Sequence, residues 1–389
     1  MSTYHSFSNY VIKTPGGEMA VMGKPGVWSW DRLNAGTSAI MDVAEVAPSD
    51  RVLDLGCGTG VLGAYACRQA VKGRVELVDC NVAAVACARR TLVVNDGSNG
   101  VVRLADGVAG LAPASFDLVL CHLPRGRAVQ EALINGAAWV LRPGGRFILA
   151  AGKRAGVKGA IEYARKLFGR CSVVRQKKGY HVALALRLDV LESPRPEERY
   201  DTFLVSLDGV ETKLVSKPGV FAWNHLDDGT AALVEAMAVE AGDRVLDLGC
   251  GSGLAGLAAA RRAPEGEVVL LDADVRAVES ARRTLEANKI SNAEALASDS
   301  CAAVFDRSFD VVITNPPFHQ GVGVDYEVAC QFVHDASRVL RPGGRFFLVA
   351  NRFLNYDKPI ARVFGNATRV WDDRRYHVLT AVARRSGSA

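Results

Sequence analysis

The sequence predicts an α/β fold made of two tandem domains of one kind, each a mostly parallel sheet flanked by helices. Two observations lead to this prediction. The chain has 389 residues, which is too long for one ordinary domain and suits two. Within each half, apolar runs rich in β-branched residues alternate with helical patterns, and such alternation is typical of a parallel sheet wrapped by helices.

An internal repeat relates the two halves. The segment at 50–58 recurs at 243–251, which is 193 residues later, and the segment at 141–147 recurs at 340–346, which is 199 residues later. The second copy therefore holds six additional residues, which we place just after its double proline. The repeat is far longer than the unit of a solenoid, so we interpret it as a duplicated domain.

A polar segment broken by prolines marks the boundary between the two copies. Ser193, Pro194 and Pro196 lie in a stretch that favours neither a helix nor a strand. We therefore predict a first domain at 1–190 and a second domain at 191–389.

The second copy predicts its elements most clearly. One helical segment has apolar residues at 275, 278, 281 and 285, which form one face of a helix. The tripeptide Tyr-His-Val near the end of each copy lies in an alternating run and predicts a terminal strand. The predicted strands are Arg244–Leu248, Val268–Leu271, Phe309–Thr314 and Gly344–Ala350, and the predicted helices are Leu254–Arg262, Val275–Asn288 and Glu327–Leu340.

The composition is that of a globular protein, with 49% hydrophobic and 23% charged residues. The chain has no apolar run of about 18 residues, and its start lacks a basic segment followed by an apolar one. We therefore expect a soluble, cytoplasmic protein with no signal peptide and no membrane partner. The nine cysteines include no CxxC pair, which favours reduced thiols over disulfides or a zinc site, and we expect no metal.

Positive charge is concentrated in the first half. Residues 1–190 contain 24 Lys/Arg and 14 Asp/Glu, whereas 191–389 contain 23 and 28. A basic stretch of this kind could bind the phosphate backbone of a nucleic acid. The alternative is a solvated helix face and hairpin, which would have the same composition. The candidate RNA-binding residues are Lys153, Arg154, Lys158, Arg165, Lys166, Arg170, Arg175, Lys177 and Lys178.

The second domain is organised around Asn315, Pro316, Pro317 and Phe318, which follow a predicted buried strand. Each proline fixes φ and lacks an N–H group, so the loop cannot continue as a helix or pair onward. The carboxamide of Asn315 is then held at the carboxyl end of a strand, where open parallel sheets bind ligands. The alternative is a tight turn in which the asparagine is only a turn former.

A glycine-rich loop follows the first strand of the second copy. Asp247, Gly249, Gly251 and Gly253 form a D-x-G-x-G-x-G motif that opens a helix, and the glycines allow a ligand to approach the backbone. A dinucleotide motif would have a small residue where Leu254 stands, and the loop has no P-loop lysine. A carboxylate before the loop suits the ammonium group of an amino-acid ligand better than it suits a pyrophosphate.

Acidic residues also lie at the ends of the next two strands. Asp272 is placed for a ribose diol, and Asp299 is placed for the exocyclic amine of adenine. A nucleoside joined to an amino acid is S-adenosylmethionine, which we predict as the cofactor. The adjacent Ala273 and Ser300, together with Asn315, are included in the cofactor-binding set. The alternative is that these are ordinary strand-end turns.

The combination of motifs resembles the class I S-adenosylmethionine-dependent methyltransferases, whose domains are Rossmann-like. N-P-P-[FY] is typical of enzymes that methylate planar-amide or aromatic exocyclic nitrogens. The tandem duplication and the segments at 218–221, 315–319 and 349–352 are similar to the RsmC/RlmG group of bacterial ribosomal RNA guanine-N2 methyltransferases. The resemblance covers essentially the whole chain.

This resemblance implies methylation of the exocyclic N2 amine of a guanine in ribosomal RNA, with 16S small-subunit RNA favoured over 23S. The implied partner is ribosomal RNA or a ribosomal subunit. The internal duplication already provides two domains, so we expect a monomer. In the family, the lead-in before the first strand closes over the methionine end of the cofactor, which adds Phe221, Asp228 and Gly229 to the cofactor-binding set.

The chemistry implied at the double proline needs no ionised base. If the side-chain oxygen of Asn315 and the carbonyl of Pro316 each accept an N–H of the amine, its lone pair is directed at the methyl group. Phe318 would stack on the base, a contact worth roughly 1–3 kcal/mol, unless it is a core aromatic. A base in folded RNA must be flipped out to reach this site. We interpret His319 as a surface loop residue.

The first copy keeps the loop but not the catalytic tetrapeptide. Its glycine motif at 54–60 is intact, and Asp79 and Asp106 match Asp272 and Asp299. His122, however, replaces Asn315, and Leu123 and Arg125 replace Pro316 and Phe318. We therefore predict a catalytically inactive first domain whose basic face helps to hold RNA, with a second, non-catalytic cofactor site left open.

Two alternatives remain at this point. One is an N-P-P-F methyltransferase acting on a protein glutamine or another base, for which the chemistry would be the same. The other is a non-catalytic RNA-binding assembly factor. The intact tetrapeptide at 315–318 argues against the latter, because the copy predicted to be inactive is the one that lost it.

Overall fold

The computed structural model describes residues 4–188, 195–317 and 323–384. Phe318 and His319 lie outside these ranges. Within them, no helix is both long and apolar enough to cross a membrane. The same ranges contain no group of three His, Cys, Asp or Glu side chains placed to hold a metal ion.

The described chain forms two compact units. The first unit lies within 5–198, and the second unit contains Tyr4 and 199–384. The N-terminal Tyr4 therefore belongs structurally with the second copy of the repeat.

The first unit contains nine strands and five α-helices among its described residues. A short 3-10 turn at Lys153–Ala155 precedes its last helix. The strands are β1 (Ser8–Thr14), β2 (Gly17–Gly23), β3 (Arg51–Leu55), β4 (Arg74–Asp79), β5 (Gly100–Leu104), β6 (Phe116–His122), β7 (Leu141–Gly152), β8 (Arg170–Lys177) and β9 (Tyr180–Leu186). The helices are α1 (Ala35–Met41), α2 (Val61–Gln69), α3 (Val82–Val93), α4 (Arg127–Val140) and α5 (Val157–Phe168).

The second unit repeats this order of elements. The strands are β10 (Asp201–Leu207), β11 (Val210–Ser216), β12 (Arg244–Leu248), β13 (Glu267–Asp272), β14 (Ala293–Ala297), β15 (Phe309–Thr314), β16 (Leu340–Asn351), β17 (Thr368–Asp372) and β18 (Tyr376–Val382). The helices are α6 (Asp228–Ala236), α7 (Leu254–Arg262), α8 (Val275–Ala287), α9 (Gly323–Val339) and α10 (Asp357–Phe364).

Both units have the same sheet topology. Each has an antiparallel hairpin, β1-β2 or β10-β11, and a seven-stranded sheet in the order β5-β4-β3-β6-β7-β9-β8 or β14-β13-β12-β15-β16-β18-β17. In the second sheet the pairs from β14 to β16 are parallel, and β18 is antiparallel to both of its neighbours. The direction of strand order changes at β12, and ligands bind at such switch points in open α/β sheets.

The central strands are apolar throughout because both faces of the sheet are covered. Val245 in β12 packs in a core cluster with Leu257 of α7, whereas the adjacent Leu246 packs in a cluster with Val333 of α9. Successive side chains of a strand point to opposite faces, so each must be apolar when helices lie on both sides.

The predicted fold class is confirmed. The strands and helices predicted for the second copy are all present, although α9 begins at Gly323 rather than Glu327. Sequence reasoning gave no bounds for β5 and β14, although it placed Asp106 and Asp299 at strand ends, and it missed the hairpins β1-β2 and β10-β11, the edge strand β17 and the helices α1, α6 and α10.

Candidate functional site

The predicted site residues of the second unit lie around the carboxyl ends of its parallel strands. In the parallel register, Leu248 pairs with Thr314, and Asp272 pairs with Ala297. The Oγ1 of Thr314 also donates a hydrogen bond of 2.7 Å to the carbonyl of Leu248. The loops that follow β12, β13, β14 and β15 therefore begin side by side.

The glycine loop has a backbone that other residues rarely adopt. Gly249, Gly251 and Gly253 have φ angles of 77°, 54° and 85°, in the left-handed region that favours glycine. A Cβ on Gly253 would also lie 3.0 Å from the Cβ of Ala281 in α8, whereas a Cβ on Gly251 would meet no atom within 4 Å. The loop thus packs closely at its end and leaves open space at its centre.

Asp247 fixes the start of α7. Its side chain is buried, and its Oδ2 accepts a hydrogen bond of 2.8 Å from the backbone N–H of Gly256. Burial raises the pKa of this carboxyl to about 7, and the N–H of Gly256 opposes the shift. The contact with an ammonium group predicted for Asp247 is not tested by this arrangement and stays a prediction.

Asp272 ties the end of β13 to the glycine loop. Its Oδ2 accepts from the N–H of Gly251 at 3.0 Å, and its Oδ1 accepts from the N–H of Asp274 at 2.9 Å. Burial raises the pKa of Asp272 to about 6, opposed by the N–H of Asp274. The predicted neighbour Ala273 lies between these two acidic residues, in the turn that leads into α8.

Asp299 has a partner that sequence reasoning missed. The hydroxyl of Tyr4 donates a hydrogen bond of 2.8 Å to its Oδ1, and the Tyr4 ring is buried in a core cluster of the second unit. The adjacent loop is closed by Ser298, whose Oγ donates to the carbonyl of Ser300 at 2.7 Å. The contact with an adenine amine predicted for Asp299 is not tested by this arrangement and stays a prediction.

Asn315 is held in one orientation. Its Nδ2 donates to the Oδ2 of Asp227 and to the Oγ1 of Thr230, both at 2.9 Å. Since a carboxylate can only accept, the amide nitrogen must face Asp227 and the amide oxygen must point elsewhere. No hydrogen bond to that oxygen occurs within the described residues, so Oδ1 is positioned as an acceptor for a ligand.

Asp227 itself is positioned by α6. It is the N-cap residue of that helix, and its Oδ2 accepts from the backbone N–H of Thr230 at 2.7 Å. Sequence reasoning missed both residues, although an aspartate three residues before a threonine at the start of an apolar run is a helix N-cap signal.

The remaining predicted residues lie around this point. Asp228 forms an ion pair of 2.7 Å with Arg375, and a Cβ on Gly229 would lie 3.1 Å from both Asp227 Oδ2 and Tyr376 Cε1. Phe221 is 57% exposed in the lead-in before α6. Within the tetrapeptide, Pro316 is buried and Pro317 is exposed.

Comparisons with known proteins agree with this geometry. The model of the family described as Methyltransferase small domain matches residues 18–184 and 211–380. A ribosomal RNA small subunit methyltransferase C of Hahella chejuensis is 34% identical over 70% of this chain and 79% of its own length. A ribosomal RNA large subunit methyltransferase G of Klebsiella pneumoniae is 29% identical over 82% of this chain and 84% of its own length.

A solved structure is similar over the whole chain. The 16S rRNA N2 G1207 methyltransferase RsmC of T. thermophilus, in complex with AdoMet and guanosine, is 33% identical, with a TM-score of 0.85, and the match covers 98% of this chain and 99% of that chain. The chain belongs to this family of duplicated S-adenosylmethionine-dependent ribosomal RNA methyltransferases.

The first unit of this family member keeps the glycine loop in detail. Gly56, Gly58 and Gly60 have φ angles of 77°, 54° and 80°, close to those of the second unit. Asp54 accepts from the N–H of Gly63 at 2.7 Å, and Asp79 accepts from the N–H of Gly58 at 2.8 Å. The two loops therefore share one hydrogen-bond scheme.

The catalytic position differs between the two units of this methyltransferase. In the first unit the Nδ1 of His122 lies 3.1 Å from the Oγ1 of Thr37, where the second unit has Asn315 and Thr230. Burial lowers the pKa of His122 to about 4, so its ring is neutral at physiological pH. A neutral ring has no carboxamide oxygen to offer an amine.

The candidate RNA-binding residues lie along one side of the first unit. Three are on α5, three are on β8, which is the edge strand of the sheet, and the rest are in the turns beside them. Arg175 and Lys177 form ion pairs with Asp42 at 3.1 and 2.8 Å, so part of their charge is neutralised. The other seven side chains are exposed: Lys153, Arg154, Lys158, Arg165, Lys166, Arg170 and Lys178.

Proposed function

We propose that this chain transfers a methyl group from S-adenosylmethionine to the exocyclic N2 amine of a guanine in small-subunit ribosomal RNA. The observation that carries the proposal is the orientation of Asn315, whose two N–H groups are engaged by Asp227 and Thr230. The relatives named above act on ribosomal RNA, and the similar solved structure is a 16S rRNA N2 G1207 methyltransferase.

The residues at the sheet edge fit the proposed cofactor. A Cβ on Gly251 would meet no atom within 4 Å, so the centre of the glycine loop has room for a ligand close to the backbone. In this proposal Asp272 would bind the ribose and Asp299 would bind the adenine amine. Phe221 and Gly229 lie on the lead-in that would cover the methionine end. When bound, S-adenosylmethionine supplies an electrophilic methyl group on a positively charged sulfur.

The amine of guanine needs help because its lone pair is delocalised into the ring. Asn315 Oδ1 and the Pro316 carbonyl would each accept one of its N–H groups, which turns the lone pair out of the ring plane. The fixed carboxamide costs little reorganisation at the moment of reaction, since Asp227 and Thr230 already hold it. Phe318 would stack on the flipped base.

The first unit would serve the second by holding RNA. Seven exposed basic side chains lie on α5, β8 and the turns beside them, and clusters of positive charge bind the phosphate backbone. We further propose that the protein acts as a monomer in the cytoplasm, because each chain supplies both an RNA-holding unit and a catalytic unit.

One experiment tests the activity and the substrate together. Labelled S-adenosylmethionine is incubated with 16S and 23S RNA, free and in subunits, and the nucleosides are analysed. We expect N2-methylguanosine in 16S RNA, and the guanine equivalent to G1207 is the first position to map. Label on 23S RNA alone would overturn the choice of subunit. Label on protein, or none with cofactor bound, would support the alternatives of a protein substrate or a binding factor.

A further inference from the structure

The position of the catalytic pocket is occupied in the first unit by a cluster of rings. The ring of His122 contacts Trp28 with centroids 4.8 Å apart and Tyr180 with centroids 5.3 Å apart, both nearly perpendicular. By the repeat, Trp28 corresponds to Phe221, His122 to Asn315 and Tyr180 to Tyr376. The first unit thus has a cluster of aromatic rings at the end of the sheet where the second unit has the carboxamide.

Hydrogen bonds fix the inner rings of this cluster. Thr37 Oγ1 lies 3.1 Å from the Nδ1 of His122, and the Nδ2 of Asn34 donates to the Tyr180 hydroxyl at 3.2 Å. Asn34 is in turn held as the N-cap of α1, where its Oδ1 accepts from the N–H of Gly36. The side chains that support Trp28 are therefore held in fixed positions.

Trp28 itself is largely exposed to solvent. Its side chain is 62% exposed, although the indole is a large apolar group whose burial is strongly favourable. An indole supported by fixed rings and open on the outside is suited to stacking a flat ligand, because it loses little conformational freedom on binding.

Three positively charged residues lie close in the chain or the sheet to residues of the ring cluster. Arg125 follows His122 by three residues. Gly152 pairs with Tyr180 in the sheet, so Lys153 and Arg154, which come next, begin at the cluster. These three side chains are exposed, and none of them forms an ion pair with another described residue. Their charge is available to a ligand at this edge.

We propose that the first unit carries a second nucleotide-binding site, in which an unpaired base of the RNA stacks on Trp28 while the flanking phosphates bind Arg125, Lys153 and Arg154. Stacking on an exposed aromatic ring combined with phosphate contacts is how proteins bind single-stranded nucleic acid. The site rests on the proposed function for its ligand class.

Binding of a short single-stranded RNA tests the proposal without any methyl transfer. Fluorescence anisotropy with a labelled octanucleotide at one fixed salt concentration should show that Trp28→Ala weakens binding about 5- to 20-fold. Trp28→Phe should restore most of the affinity, and a blunt duplex of the same sequence should bind all three proteins within about twofold. Phe305→Ala removes an 86% exposed ring from the loop before β15 and serves as the matched control, with no expected effect.

The outcomes separate this site from the methyl-transfer function. Unchanged single-strand affinity in Trp28→Ala, or equal loss in Phe305→Ala, would overturn the site even if the parent methylates RNA. Weakened binding in Trp28→Ala with an unchanged melting temperature would support the site even if the parent methylates nothing. A concentration-dependent mass of the parent in sedimentation that Trp28→Ala abolishes would instead identify the ring as a self-association contact and reject the nucleotide site.

Discussion

The Nδ2 of Asn315 and the Oδ2 of Asp227 lie 2.9 Å apart, and this contact decides which end of the carboxamide faces the substrate. Asp227 is also the cap of α6, so a helix terminus on one side of the site sets the orientation of a side chain on a strand terminus. Thr230 supplies the second acceptor.

Replacing Asp227 should separate these two roles. Asp227→Ala removes the acceptor and the cap, so we expect kcat to fall about tenfold or more and stability to fall by about 1 kcal/mol. Asp227→Asn keeps an oxygen in the same place, and asparagine caps a helix as effectively as aspartate does. This variant should therefore retain most of the kcat and most of the stability. Methyl-transfer kinetics and thermal melting check this, and equal activity in the two variants would contradict it.

Removal of the carboxamide should abolish catalysis without loss of cofactor. We expect Asn315→Ala to reduce kcat by about 100- to 1,000-fold, the scale of a lost transition-state contact, while calorimetry shows cofactor affinity within a few-fold of the parent. The matched variant His122→Ala in the first unit should leave kcat within about twofold, because we predict that the first unit is catalytically inactive. Undiminished transfer by Asn315→Ala would rule out the proposed role.

The two glycine loops offer a paired test of where the catalytic cofactor binds. Asp272→Ala removes the carboxylate that holds Gly251 and is placed for the ribose, so the KM for S-adenosylmethionine should rise at least about tenfold, equivalent to about 1.4 kcal/mol. Asp79→Ala makes the same change in the first unit and should leave this KM unchanged. A calorimetric stoichiometry near one would remove the second cofactor site left open by the sequence, and one near two would support it.

The buried Asp247 should make folding pH-dependent in a defined direction. Its folded pKa is about 7, above an unfolded value of about 4, so the folded state binds more protons between these values and this group's contribution falls as pH rises. Asp247→Asn removes the effect. The melting temperature of the variant minus that of the parent should therefore increase by about 2 °C or more from pH 5 to pH 8.

The equivalent carboxyl of the first unit provides the comparison for this measurement. Burial likewise raises the pKa of Asp54 to about 7, so Asp54→Asn should show the same trend in the melting of the unit that contains it. A difference between variant and parent that is independent of pH would refute the assignment of the shift to these groups.

The basic side of the first unit should be visible in the salt dependence of RNA binding. Replacing Lys158, Arg165 and Lys166 of α5 by alanine should weaken binding uniformly across sequences and reduce the slope of log affinity against log salt by about 2 to 3. Lys72, which precedes β4 in the half of the sheet away from β8, supplies the control substitution. An unchanged slope in the triple variant would place the RNA elsewhere.

Local motifs explain what could be predicted from the sequence. Asp272 and Asn315 each end an apolar run, so their place at the sheet edge follows from strand and loop signals alone. Asp227 and Tyr4 could not be found in this way, because they lie 88 and 295 residues from the partners they bind, Asn315 and Asp299. The hairpin strands were missed because they are half exposed and do not form a continuous apolar run, as in Asp201–Leu207.

The hydrogen bond between Tyr4 and Asp299 limits how the chain can be divided into fragments. Tyr4 packs with the second copy of the duplication, not with the copy that it precedes. A fragment that begins at Arg199 therefore lacks a ring of its own core and the hydroxyl beside its proposed adenine position. A division of the chain between the two copies therefore leaves Tyr4 attached to the unit in which it does not pack.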